Sequence, residues 1–215
     1  MDIAVTDVAR AVVVLRRHLI LAAVGLCAVA CSSTSSSGST SAPAPASTAT
    51  ASATAAATES PPPGDIPDTT VYVAYRPASG QYEVKVPEGW ARTVSSAGVS
   101  FTDNLNSITI QTVRAAAPTV ASARTAEVPQ IQGSLHAFSL TGISTVSRPA
   151  GTAVLIRYSA DSKPDPVTGK VFRDAIERYE FYRNGTEAIV TLAGPAGADN
   201  VDPWRKMTSS FRWRP

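Results

Sequence analysis

The stretch Tyr82-Glu83-Val84-Lys85-Val86-Pro87-Glu88-Gly89-Trp90 sets the structural type of this chain. Apolar residues at 82, 84 and 86 alternate with Glu83 and Lys85, the period of two of a half-buried strand. Pro87-Glu88-Gly89 then turns the chain into Trp90. The same grammar repeats on both sides. Thr69–Tyr75 reads as a strand before it, across a turn at Pro77-Ala78-Ser79-Gly80. Val99–Thr102 and Ser107–Arg114 read as a hairpin joined through Asp103-Asn104, with Ile108, Ile110 and Thr112 on one face. His136–Thr145 and Thr152–Ser159 form a further pair around Arg148-Pro149-Ala150-Gly151. Val171–Arg183 and Thr186–Leu192 flank Asn184-Gly185, the dipeptide that suits a type I′ turn because both central residues need positive φ.

Two helices are expected between these strands. Val120–Ile131 is alanine-rich, with Pro129 ending it. Near the C-terminus Asp202 is the expected N-cap and Pro203 the first helical residue. Trp204, Met207 and Phe211 fall at i, i+3 and i+7, one apolar stripe. Phe211-Arg212-Trp213 reads as a last short strand. The fold class is therefore α+β, an antiparallel β-sheet flanked by a few helices, over residues 66–215.

The residues before that domain are of another kind. The chain has 215 residues and 14 aromatics (3 Trp, 6 Tyr, 5 Phe), none of which precedes Tyr72. Arg16, Arg17 and His18 are followed by twelve uncharged, mostly apolar residues, Leu19–Ala30. Basic residues, a short apolar run and small residues at its end make a secretory signal, residues 1–30. As a helix those twelve rise about 18 Å, against roughly 30 Å of hydrocarbon. Extending the run back to Ala11 puts two arginines inside it, at about 2.5–3.5 kcal/mol each. A spanning anchor is the weaker reading.

Ala28-Val29-Ala30-Cys31 resembles a bacterial lipobox, with Ala28 where leucine is usual. The resemblance implies cleavage after Ala30 and acylation of Cys31. The alternative is an ordinary secretory signal cut near Ala30, with Cys31 a bystander. The long stretch before Arg16 also fits a start at Val12, Val13, Val14 or Leu15. Ser32–Gly64 is Ser, Thr, Ala or Pro except for Gly38, Glu59 and Gly64. Nothing in it offsets ordering entropy, so residues 31–65 read as a disordered tether. Its coil dimension is about 30 Å and its extended reach roughly 100 Å.

Three places in the folded region carry a family resemblance. They are Tyr82–Trp90, Val190-Thr191-Leu192-Ala193-Gly194-Pro195, and Gly197–Trp204 leading to Ser210-Phe211-Arg212-Trp213. Together they resemble the PsbP-like superfamily, which includes actinobacterial lipoproteins of the LpqN/LpqT type. The resemblance implies an α/β/α sandwich. It implies no activity, since plant members assist photosystem II and a related fold binds a small GTPase.

Candidate chemistry is sparse. A net charge of +2 argues against a nucleic-acid binder, and two cysteines exclude a disulfide scaffold or a thiolate zinc site. No Gly-x-Ser-x-Gly, HExxH, Gly-x-Gly-x-x-Gly or P-loop occurs. Ser134 and His136 are what a hydrolase would have to use. Asp161 and Asp165 do not have EF-hand spacing. Asn184-Gly185-Thr186 matches a glycosylation sequon but reads better as the tight turn. Arg173–Arg183 alternates acids and arginines. Arg173, Arg178, Tyr179, Phe181 and Tyr182 have the composition of a binding hot spot, against the plainer reading of a solvent-facing strand with ion pairs. No catalytic residue, cofactor or metal ligand is assigned. The expectation is a non-enzymatic envelope protein, anchored through acyl chains on Cys31 to the extracytoplasmic face of the membrane. It would bind an unidentified envelope partner. A carrier or sensor of an apolar ligand is the alternative, and a serine hydrolase a weaker one.

Overall fold

The computed structural model describes residues 63–165 and 167–215. The expected signal, Cys31 and the tract up to residue 62 lie outside the described residues.

Two antiparallel sheets organise the domain. β1 (Tyr72–Tyr75), β2 (Tyr82–Pro87) and β10 (Arg212–Trp213) form the smaller, in the order β1-β2-β10. The larger holds β3 (Ala91–Ser95), β4 (Gly98–Asp103), β5 (Asn106–Arg114), β6 (Ser139–Arg148), β7 (Gly151–Asp161), β8 (Arg173–Arg183) and β9 (Thr186–Pro195). Its order is β3-β4-β5-β9-β8-β7-β6. The fold class is α+β, as the alternation of residues predicts.

Alternation along the strands sorts the large sheet into two faces. Val99, Phe101, Ile108, Ile110, Leu155, Tyr179, Phe181, Val190 and Leu192 point to one side. There they meet Tyr82, Val84 and Val86 of β2 and Trp204 and Met207 of helix α3 (Val201–Ser210). Phe211, just past α3, stacks on Phe181 at 4.7 Å and on Tyr82 at 5.4 Å between ring centres. On the other side Val154, Ile156, Tyr158, Ala160 and Ile176 pack against Ala123 and Val128. Helices thus cover both faces.

The Asn184-Gly185 turn is as expected, with φ of 50° and 77°. β3 is not in the sequence reading. All five of its residues are exposed, so it has no apolar period to read, and it is held as an edge by pairing with β4.

The first helix runs past its expected end. Thr119 caps it in a reciprocal box with Ser122, whose backbone N–H donates to Thr119 Oγ1 at 3.0 Å. Helix α1 (Val120–Ser122) passes into a π-helical stretch, Ala123–Glu127, and continues as α2 (Val128–Ser134). Pro129 sits in the first turn of α2 instead of terminating the helix. Val128 N–H bonds back to Ala123 O, five residues earlier. The widened ladder just before the proline replaces the clash and missing donor that proline brings to a regular α-helix.

Asp202 is not the N-cap of α3. Asn200 holds that position, with no side-chain cap, and Asp202 lies in the first turn, paired with Arg205 at 2.8 Å. The Asn200 amide serves another purpose. Its Oδ1 accepts from Ile66 N–H at 2.9 Å, and its Nδ2 donates to Asn106 Oδ1 and to the Gly64 carbonyl, both at 3.0 Å. Asn106 Nδ2 donates to the same carbonyl at 2.8 Å. Two buried asparagines thereby fasten the entry of the domain. A Cβ on Gly64, where φ is +93°, would come 2.5 Å from Pro195 Cδ. Gly64 and Asp65, read from sequence as the end of the tether, make these first contacts of the fold.

Glu83 also differs from its expected exposed position. It is buried and ion-paired with Arg76, Arg212 (3.3 Å) and Arg214 (3.2 Å). The hydrogen bond from Arg76 holds its carboxyl below the usual range.

Candidate functional site

The residues singled out on β8 do not form one surface. Successive side chains on a strand face opposite sides, so the five divide between two faces. Tyr179 and Phe181 are each only 1% exposed and belong to the core. Arg178 lies on the opposite face, between Glu180 (2.9 Å) and Glu127 of the π-helical stretch (3.1 Å). Arg173 is at one end of the strand, donating to Ser159 Oγ at 2.6 Å, to Asp161 at 3.4 Å and to the Ala137 carbonyl. Tyr182 is at the other end, partly exposed, and its hydroxyl accepts from Gly185 N–H at 3.0 Å.

The middle of β8 does line an open groove. About 430 Å³ lies between the start of α3 and the sheet face formed by β7 and β8. Ala175, Val201 and Trp204 supply apolar walls, and Arg148, Arg157, Arg205 and Glu177 supply charge. The polar residues are tied together. Tyr179 Oη donates to Glu177 Oε2 at 2.6 Å and accepts from Arg148 Nη2 at 3.2 Å. Arg157 Nε donates to the other Glu177 oxygen at 2.8 Å. Arg148 is steadied by Thr208 Oγ1 at 3.2 Å and lies 5.3 Å over the Tyr179 ring. Burial, reinforced by Glu177, pushes the Tyr179 phenol up to about 12. At neutral pH that hydroxyl keeps its proton and holds Glu177 in place.

This groove is not the continuous apolar cavity that a carrier of a buried apolar ligand needs. The space between sheet and α3 is filled by Leu155, Phe181, Met207 and Phe211, each at most 1% exposed. What remains open is amphipathic, an apolar wall with a cationic rim.

The other candidates are placed as follows. Ser134 Oγ donates to the Ile131 carbonyl at 2.9 Å, and His136 is exposed in the next turn. No hydrogen bond joins the two side chains among the described residues. Asp165 Oδ1 accepts from Val167 N–H, Thr168 N–H and Thr168 Oγ1 at 2.7–3.0 Å, which holds its carboxyl below the usual range. It is a turn cap, and Asp161 pairs with Arg173. Among the described residues no cluster of three or more His, Cys, Asp or Glu side chains could hold a metal ion. No helix of the described residues is long and apolar enough to cross a membrane.

The groove and the asparagine fastening were not read from the sequence. Arg148, Arg157, Glu177 and Trp204 lie on four different elements, so no local spacing links them. The one available signal was Tyr179 with Glu177 at i and i−2 on a strand.

No known protein-family profile matches the sequence, and no significant match to a curated protein is found. Solved structures of similar fold include cyanobacterial PsbP (CyanoP) from Synechocystis, at 13% identity and a TM-score of 0.46, covering 70% of this chain and 98% of that one. The Saccharomyces cerevisiae Ran-binding protein Mog1p is 12% identical, with a TM-score of 0.45 and coverage of 67% and 96%. LpqN of Mycobacterium tuberculosis, described as involved in cell envelope biogenesis, is 15% identical, with a TM-score of 0.41 and coverage of 69% and 93%. At these identities the likeness is one of fold.

Proposed function

We propose that the chain is a non-enzymatic binding protein of the cell envelope, held by a lipid on Cys31 at the extracytoplasmic face of the membrane. The groove beside α3 is its binding surface. One observation carries the reading: the open groove, whose apolar wall and cationic rim are braced by the Arg148–Tyr179–Glu177–Arg157 chain. Such a surface suits a molecule with an apolar body and an acidic group. The serine-rich tract after Cys31 would let the groove work away from the bilayer, within roughly 100 Å of it.

Two measurements test the two halves. Cys31→Ala should move the protein from the membrane fraction into the medium. A variant that stays membrane-bound sinks the anchor. For the groove, the probe is decanoate, titrated by calorimetry into the chain carrying Cys31→Ala. Arg157→Glu should weaken binding at least about tenfold by reversing the charge of the rim. Arg92→Glu on the exposed edge β3 should leave binding unchanged. Equal affinity in Arg157→Glu and the parent rules the groove out.

A further inference from the structure

A second recess lies where the β8–β9 hairpin meets the C-terminal segment. It encloses about 260 Å³ and is lined by Arg114, Arg183, Arg214 and Trp213, with Gln81 and Thr186 beside them. Among the described residues no acidic side chain lines it. Arg114 and Arg183 make no ion pair among the described residues. Arg183 Nη1 donates to the Arg214 carbonyl at 3.3 Å, and Arg114 Nη1 only at 3.5 Å to the Asn184 carbonyl. Arg214 reaches Glu83, but that carboxylate already serves Arg76 and Arg212. Three arginines and Pro215 therefore line one recess, and of the arginines only Arg214 has an ion-pair partner among the described residues.

The Trp213 ring lines the recess, but its Nε1 is buried beneath the surface, with no hydrogen-bond partner among the described residues. A buried donor left unpaired costs about 1–3 kcal/mol, and such groups are rare in folded proteins. Its ring is fixed edge-on to Phe211, with centres 5.4 Å apart, so the indole cannot easily turn elsewhere. Arginine forks without carboxylate partners are the complement of a tetrahedral oxyanion. Guanidinium forks match phosphate oxygens two at a time.

We propose that Arg114, Arg183 and Arg214, beside the ring of Trp213, form a binding site for a phosphate group. The volume has room for the group and part of a substituent. The phosphate can belong to a small soluble molecule or to a lipid headgroup. The site is separate from the groove beside α3, with which it shares no lining residue.

The test uses the full chain carrying Cys31→Ala, with ¹⁵N-labelled tryptophan. Inorganic phosphate is titrated at constant ionic strength, and the Trp213 indole resonance is assigned by Trp213→Phe. That resonance should shift saturably with a midpoint of about 1 mM, with those of Trp90 and Trp204 unmoved. Arg114→Gln and Arg183→Gln should each raise the midpoint about tenfold. Both lie exposed at strand ends, so they should leave the fold intact, and the dispersion of the three indole signals checks this. A resonance that does not move up to about 50 mM phosphate overturns the site. So does a midpoint unchanged in the two glutamine variants. Sedimentation with phosphatidylglycerol against phosphatidylcholine vesicles then separates the sources. Selective pelleting that phosphate competes away and that needs both arginines assigns a headgroup. A phosphate shift without such pelleting assigns a soluble ligand.

Discussion

Phe211→Ala is expected to destabilise the domain by about 3–5 kcal/mol, a large part of the 5–15 kcal/mol that holds an ordinary domain together. Phe211 is fully buried and touches every layer of the main core. Its ring stacks on Phe181 of the large sheet and on Tyr82 of the small one, and meets Trp213 edge-on. It sits just after α3, with φ of −60° and ψ of 132°. Truncation removes the transfer free energy of the ring and leaves a cavity that three fixed aromatic neighbours cannot close. Chemical denaturation measures the loss. Phe211→Leu should lose less, about 1–2 kcal/mol, because most of the volume is kept. Val167→Ala, at a side chain 90% exposed, should stay within about 0.5 kcal/mol of the parent. A loss below about 1 kcal/mol for Phe211→Ala would show that the stack does not hold the layers together.

Arg178→Met is expected to cost about 3 kcal/mol at pH 7 and much less at pH 4. The methionine keeps most of the volume, so the charge is what is lost. Arg178 lies between Glu180, which is only 1% exposed, and Glu127. Burial pushes the Glu180 carboxyl up even with the arginine beside it. Burial, with Glu180 and Glu127 nearby, pushes Glu187 from 4.5 to about 7. A raised carboxyl binds its proton more tightly in the folded state than in the unfolded one. Folded stability therefore falls as pH rises from about 4.5 to about 7. Removing Arg178 raises both groups further and steepens that fall. Below pH 4.5 the carboxyls are protonated in either state and the penalty shrinks. Glu187→Gln should do the reverse, adding up to about 2 kcal/mol at pH 8 and changing little at pH 4. Thermal unfolding at the two pH values reads both variants. A cost for Arg178→Met that does not depend on pH would contradict the arrangement.

How far a residue's place could be read depended on where its partners lie in the chain. Strands with one buried face, such as β2 and β5, announced themselves through alternation, and the type I′ turn through Asn184-Gly185. β3 was silent because none of its side chains is buried. Pro129 reads as a stop along the sequence, but its cost depends on the ladder around it, and the π-helical stretch alters that ladder. Glu83 and Glu180 look like ordinary solvent-facing charges between apolar neighbours. Only arginines brought from Arg76, Arg212 and Arg214, or from the next strand position, let them be buried. On β8 the composition marked a special strand. Alternation then dispersed its aromatics and arginines to opposite faces, so it did not make one patch.

The sequence by itself determined the fold class, a set of antiparallel strands with two helical regions. Composition and a period of two are local quantities, and each follows from a few neighbouring residues. Only the tertiary structure decided the sites. The groove joins side chains from β6, β7, β8 and α3, and the basic recess joins the ends of β5, β8 and β10. Charges that are remote along the chain change each other's energy only when folding brings them within a few ångströms in a medium that screens less than water.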